Sequence, residues 1–97
     1  MGGYSETPVT GAWVKAAAEF AIARQARTTA TNLPALKIEL VEIVRAEQQV
    51  VAGMNYRLRL KVRVKDEVRE AEAVVWRKLS GKFKLTSWTW KQPEEKR

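Results

Sequence analysis

The chain has 97 residues, with 45% hydrophobic and 30% charged positions and a formal net charge of +7; this is enough for one domain burying roughly two thirds of its unfolded surface. It contains no cysteine and no histidine, which excludes a disulfide framework, thiolate zinc sites and imidazole catalysis. No apolar run of about 18 residues is present to cross a membrane, and residues 1–6 lack the apolar core of a signal peptide. The chain is therefore expected to be soluble, with any leader already removed, in a compartment the residues do not specify.

Residues 1–9 carry Gly2, Gly3 and Pro8 with little periodicity and read as a flexible or extended N-terminal arm. Thr10 is placed to cap a helix over residues 11–27, in which Trp13, Ala17, Phe20, Ala21 and Arg24 fall at helical spacing. The stripe is rich in alanine, which lets a helix approach a sheet closely, and Trp13 and Phe20 are expected to supply most of its buried area. The threonines and asparagine of residues 28–32, then Pro34, end it.

From residue 35 onward the period becomes two. Leu36, Ile38 and Leu40 alternate with Lys37 and Glu39, and Val41 and Ile43 continue the apolar series on the opposite parity, which predicts a bulge or strong twist. The next strand is the clearest: Tyr56, Leu58, Leu60, Val62 and Val64 alternate with Arg57, Arg59, Lys61, Arg63 and Lys65, giving one core face and one cationic face. Residues 65–67 form a polar turn, residues 70–76 a third strand, Ser80 and Gly81 a second turn, and residues 82–91 a last strand with Phe83, Leu85, Trp88 and Trp90. Residues 92–97 are a charged tail. One domain over residues 1–97 results, of α+β class: one helix packed on a twisted four-stranded antiparallel sheet.

The inventory for catalysis is poor. The only aspartate, Asp66, falls in a turn, and Ser5, Ser80 and Ser87 have no evident base. Metal ligation would rest on carboxylates alone, and Glu70, Glu72, Glu94 and Glu95 are spaced as solvated strand and tail residues. Gly2 and Gly3 precede no strand-to-helix turn and make no phosphate loop. No enzyme, cofactor or metal is expected, and binding is the function that remains. One binding class is a basic nucleic-acid module, with alternating cations beside Tyr56, Trp76, Trp88 and Trp90; it lacks any recognition motif, and the aromatics are needed for the core. A membrane-surface role has less support, because the helix is alanine-rich and only moderately cationic.

The segment Gln49-Val50-Val51-Ala52-Gly53 points to another class, since it is uncharged and apolar where a hairpin should turn through water. The valines either extend a strand that turns at Gly53 or form an exposed apolar tip awaiting a partner. The run "IELVEIVRAEQQVVAGMNYRLRL" resembles the first hairpin of the cystatins, in particular the plant phytocystatins, whose Gln-x-Val-x-Gly signature is met by Gln49, Val51 and Gly53. Residues 17–22, "AAEFAI", are similar to the phytocystatin helix motif with Ala17 in place of its leading leucine. Gly2 and Gly3 resemble the N-terminal glycines, and Val75-Trp76-Arg77-Lys78 resembles the strand entering the second hairpin. The resemblance covers nearly the whole chain and implies a cystatin-like fold and a reversible inhibitor that blocks a protease cleft with a wedge. The residues it implies for protease binding are Gly2, Gly3 and Tyr4 of the arm, Gln49, Val50, Val51, Ala52 and Gly53 of the first hairpin, and Leu79, Ser80 and Gly81 of the second.

Two features depart from the inhibitors of papain-like cysteine proteases. Leu79 and Ser80 stand where those carry a Pro-Trp pair, so the tryptophan anchor is missing. The chain is also strongly basic and without histidine, so its positive charge grows below about pH 4 as carboxylates neutralise. Both suit a branch of the family directed at acidic, pepsin-like aspartic proteases, the expected first partner; papain-like cysteine proteases are the second. No nucleic acid, no membrane and a monomer are expected.

Overall fold

A computed structural model describes residues 3–29 and 37–91. Along the chain run β1 (Ser5–Glu6), α1 (Ala12–Thr29), β2 (Ile38–Val51), β3 (Gly53–Val64), β4 (Glu67–Arg77) and β5 (Phe83–Lys91). The strands form one antiparallel sheet in the order β1-β2-β3-β4-β5, and α1 lies against β2, β3, β4 and β5 on one face. The sheet therefore has five strands rather than four. The extra one comes from the arm, where Ser5 pairs with Gln48 and Glu6 with Glu47, and Thr7 N–H donates to the Ala46 carbonyl at 2.9 Å. Two residues are too few to show a period, and they are extended because the edge of β2 offers them partners. Gly2, residues 30–36 and the tail over 92–97 lie outside the described residues.

The helix buries Val14, Ala17, Ala18, Ala21 and Ile22, a stripe at intervals of three and four. Trp13 is 49% exposed and does not supply the helix's main buried area as expected. It lies one position round from Val14, at the margin of the stripe, where its ring packs edge-on to Phe83 at 6.2 Å. Phe20 packs on Phe83 from the same helix at 5.5 Å. Gly11, not Thr10, occupies the N-cap: its carbonyl accepts from Lys15 N–H at 3.0 Å, and its own N–H closes a turn onto Pro8.

On the sheet, Tyr56, Leu58, Leu60, Val62 and Val64 are all buried beneath the helix, as their alternation predicts. The expected irregularity in β2 is present twice. Leu40 and Glu42 pair with Val62 and Lys61, and Ile43 and Arg45 with Leu60 and Arg59, so Val41 and Val44 are each an extra residue. Two bulges in one strand bend it and increase its twist. Lys65 and Asp66 both have positive φ, 51° and 66°, and form the two-residue turn between β3 and β4.

The outer face carries the cations of β3, and β2 and β4 bring carboxylates to meet them. Arg57 Nε lies 2.8 Å from Glu47 and 3.7 Å from Glu72, Arg59 Nε 3.1 Å from Glu70, Lys61 Nζ 3.8 Å from Glu42, and Arg63 3.6 Å from Glu39. What reads in sequence as a cationic stripe is the middle row of an ion-paired surface.

Candidate functional site

The register brings three chain segments to one end of the sheet. Val50 pairs with Met54 and Val51 with Gly53, which leaves Ala52 alone at the apex of the β2–β3 hairpin. Both readings of the apolar segment are thus partly right. The valines continue β2, and they are also exposed, Val50 at 71% and Val51 at 39%. Below them Asn55 Nδ2 donates to Gln49 Oε1 at 3.2 Å, a cross-strand pair that closes the neck of the hairpin.

Two residues of β4 fix that apex. The indole Nε1 of Trp76 donates to the Ala52 carbonyl at 2.9 Å. Gly53 has φ +105°, a conformation side chains oppose, and a Cβ there would collide with the Arg77 carbonyl oxygen. Gly53 therefore meets two demands, a backbone dihedral and a close approach by the next strand. The Arg77 side chain turns to the helix side. Its guanidinium lies 3.9 Å from the Trp13 ring centroid and 5.9 Å from that of Tyr56, and Nη2 donates to the Tyr56 hydroxyl at 3.2 Å. Helix and β3 meet at this side chain, while the first hairpin meets the backbone carbonyl of the same residue.

The second hairpin joins β4 to β5 through Leu79, Ser80 and Gly81. Gly81 N–H donates to the Lys78 carbonyl and Lys78 N–H to the Lys82 carbonyl, each at 2.8 Å. With φ +94° at Gly81, this is a three-residue loop whose last residue is left-handed. Leu79 projects from it, 83% exposed. Because Arg77 pairs with Met54, this loop stands at the same end of the sheet as Ala52.

The arm completes the row. Ser5 opposite Gln48 sets a register that, continued, brings Tyr4 level with Gln49 and Gly3 level with Val50. Gly3 is exposed, and a Cβ added there would meet nothing within 4 Å. Tyr4 is half-buried, its ring 4.1 Å beneath the Arg57 guanidinium. Arg57 is in turn held by Glu47, whose carboxyl is kept below the usual carboxylate range, first by the hydrogen bond from Arg57 and then by the charges of Arg57 and Arg45, against an opposing effect of burial. The same hydrogen bond raises the Arg57 guanidinium above its ordinary value. An ion pair thus supports the platform on which Tyr4 rests.

Of the residues singled out from the sequence, Gly3, Tyr4, Gln49, Val50, Val51, Ala52, Gly53, Leu79, Ser80 and Gly81 share this end of the sheet, and Gly2 lies outside the described residues. In the sequence Arg77 reads only as part of a strand, and Trp76 as part of that strand or as a stacking surface for nucleic acid; neither reads as a support for the first hairpin. The signal for Trp76 lies in parity: Ala71, Ala73 and Val75 face the core, so Trp76 points to the outer face, where a large ring needs another purpose. Trp88 and Trp90 are partly buried against the core and pack on each other at 5.3 Å, which leaves them no place in the row.

A helix clasped by an antiparallel sheet, with an arm and two hairpins aligned at one end, is the arrangement of a cystatin. Among solved structures the chain is similar to a salivary cystatin from the soft tick Ornithodoros moubata, at 21% identity and a TM-score of 0.74 over 95% of this chain and 99% of that one. It is also similar to mialostatin, a gut cystatin from the hard tick Ixodes ricinus, at 14% identity and a TM-score of 0.75 over 95% and 100%. These likenesses define the fold. Residues 7–90 match the family SQAPI, described as aspartic acid proteinase inhibitor, and the chain belongs to that family. It is the cystatin-like family of the squash aspartic proteinase inhibitor, whose members inhibit proteases and are not enzymes. No curated protein matches the chain.

Proposed function

We propose that this protein is a reversible inhibitor of pepsin-like aspartic proteases, which it blocks with the arm at Gly3 and Tyr4, the first hairpin at residues 49–53 and the second hairpin at residues 79–81. The observation that carries this reading is the exposed, uncharged apex of Val50, Val51 and Ala52, tied back through Trp76. An apolar tip loses little hydration on entering a cleft, and a tip already fixed loses little conformational freedom. Family membership supports a protease as the partner. The chain's basic charge supports a target that works in acid, where the carboxylates neutralise and the eighteen Lys and Arg stay charged.

A second reading, inhibition of papain-like cysteine proteases, is favoured by Gln49, Val51 and Gly53 at the apex. Against it stands Leu79-Ser80 in place of an aromatic anchor. A paired assay discriminates. Potent inhibition of pepsin in acidic buffer with little effect on papain is the expected result, and the reverse order assigns the chain to cysteine proteases. The nucleic-acid reading loses its main support: Tyr56 is buried and the four β3 cations, Arg57, Arg59, Lys61 and Arg63, each have a carboxylate within 4 Å.

A further inference from the structure

The net positive charge of this chain is not where its sequence advertises it. On the outer face Arg57, Arg59, Lys61 and Arg63 each have a carboxylate partner, with Arg45 and Lys91 paired to Glu47 and Glu72 beside them. The second hairpin is different. No Asp or Glu occurs between Glu72 and Glu94, whereas Arg77, Lys78, Lys82 and Lys84 all fall in that interval. Lys82 and Lys84 are exposed, and none of the four has an ion-pair partner among the described residues. Lys84 pairs across strands with Trp76, the residue that holds the Ala52 carbonyl, so this lysine is one strand away from the tryptophan that braces the apolar apex.

Clustering like charges without counter-charges disfavours the compact state, and such local inconsistency is expected where function requires it. A cation already in an ion pair gains little from a new carboxylate, because approaching it competes with the carboxylate it has. A lysine without one gains the whole attraction. We propose that Lys78, Lys82 and Lys84 form an electrostatic docking surface for an acidic rim beside the active-site cleft of the target protease, one that speeds encounter and sets the orientation in which the apex enters. This rests on the protease-inhibitor reading above and adds to it a chemistry for the second hairpin, which lacks an aromatic anchor.

The test compares two doubly neutralised variants with the same change in net charge: Lys82→Gln/Lys84→Gln at the hairpin and Arg59→Gln/Lys61→Gln on the outer face. Association with pepsin, or with papain should the wild type inhibit that enzyme instead, is followed by stopped flow over a series of ionic strengths. The hairpin variant is expected to associate about tenfold more slowly at low salt and with a shallower salt dependence, while the outer-face variant stays near the wild-type rate. Equal slowing of both variants reduces the effect to net charge and overturns the proposal, as does no slowing of either. A wild type that inhibits neither protease removes the inhibitor reading and this inference with it. Wild-type inhibition with an unslowed hairpin variant removes this inference alone. Salt-sensitive binding of a single-stranded oligonucleotide that the hairpin variant loses, with protease association unchanged, reassigns the lysines to nucleic acid and overturns it too.

Discussion

The indole of Trp76 and the carbonyl of Ala52 are joined by a 2.9 Å hydrogen bond between residues 24 apart in the chain, so the apex of the first hairpin is braced by the strand that enters the second. Trp76→Phe keeps the ring and removes the donor. The bond is exposed, and its loss is expected to cost about 1 kcal/mol of stability in urea unfolding. The larger effect falls on the apex: the amide resonances of Ala52 and Gly53 shift or broaden and inhibition weakens. Sharp, unmoved amides in the variant would show that Trp76 is no brace.

Gly53→Ala meets two obstacles together, a φ of +105° and contact with the Arg77 carbonyl. Relief requires the β2–β3 hairpin to move away from β4. A loss of about 1–3 kcal/mol in unfolding free energy is expected, with weakened inhibition. A variant of wild-type stability would mean that the hairpin yields easily and is not preformed.

Leu79 follows Lys78 in a turn closed by the Gly81 N–H, a position that favours proline, and no bond from its own N–H is needed to close the loop. The double substitution Leu79→Pro/Ser80→Trp should fold normally and supply the missing anchor. Papain inhibition is expected to rise by about tenfold or more, since an interface aromatic contributes around 2 kcal/mol. If papain inhibition does not respond in a well-folded variant, the second hairpin is not what limits it.

The Arg57–Glu47 pair makes a signed prediction about acid. Because the folded-state pKa of Glu47 lies below its ordinary value, the stabilisation from its ionised form is complete above the ordinary glutamate range of the unfolded chain. It declines as pH falls through the lower, folded value. Glu47→Gln should therefore be less stable than wild type at neutral pH, and the two unfolding curves should converge only on the acid side of the ordinary glutamate range. Convergence at or above that range would contradict the pairing. The Tyr4 platform on Arg57 thus persists into moderately acidic solution, and deletion through Tyr4 is expected to weaken inhibition there; unchanged potency would take the arm out of the site.

Much of this architecture is legible in the residues. The alternation from Tyr56 to Val64 needs no tertiary information, because each apolar side chain lies two from the next and the helix covers them all. The parity change at Val41 likewise marks a bulge directly. Other features belong to pairs of segments and have no local signature. Ser5–Glu6 is a strand only because β2 has a free edge, and the cations of β3 are paired only once register brings Glu39, Glu42, Glu47 and Glu70 beside them. The buried face of the helix is legible only to within one position, because alanines give little contrast and Trp13 draws the stripe toward itself. In the site, Gln49, Val51 and Gly53 are visible as a motif, whereas the bracing by Trp76 and Arg77 depends on which strand lies next to which.

Entry of the apolar apex into the protease cleft is tested most directly by amide chemical-shift mapping of the labelled inhibitor with pepsin bound. Residues 49–53 are expected to shift or broaden most, with Leu79, Ser80 and Gly81 beside them and the outer-face residues Arg59 and Lys61 unaffected. A complex that forms while residues 49–53 keep their free-state signals would contradict that mode of binding.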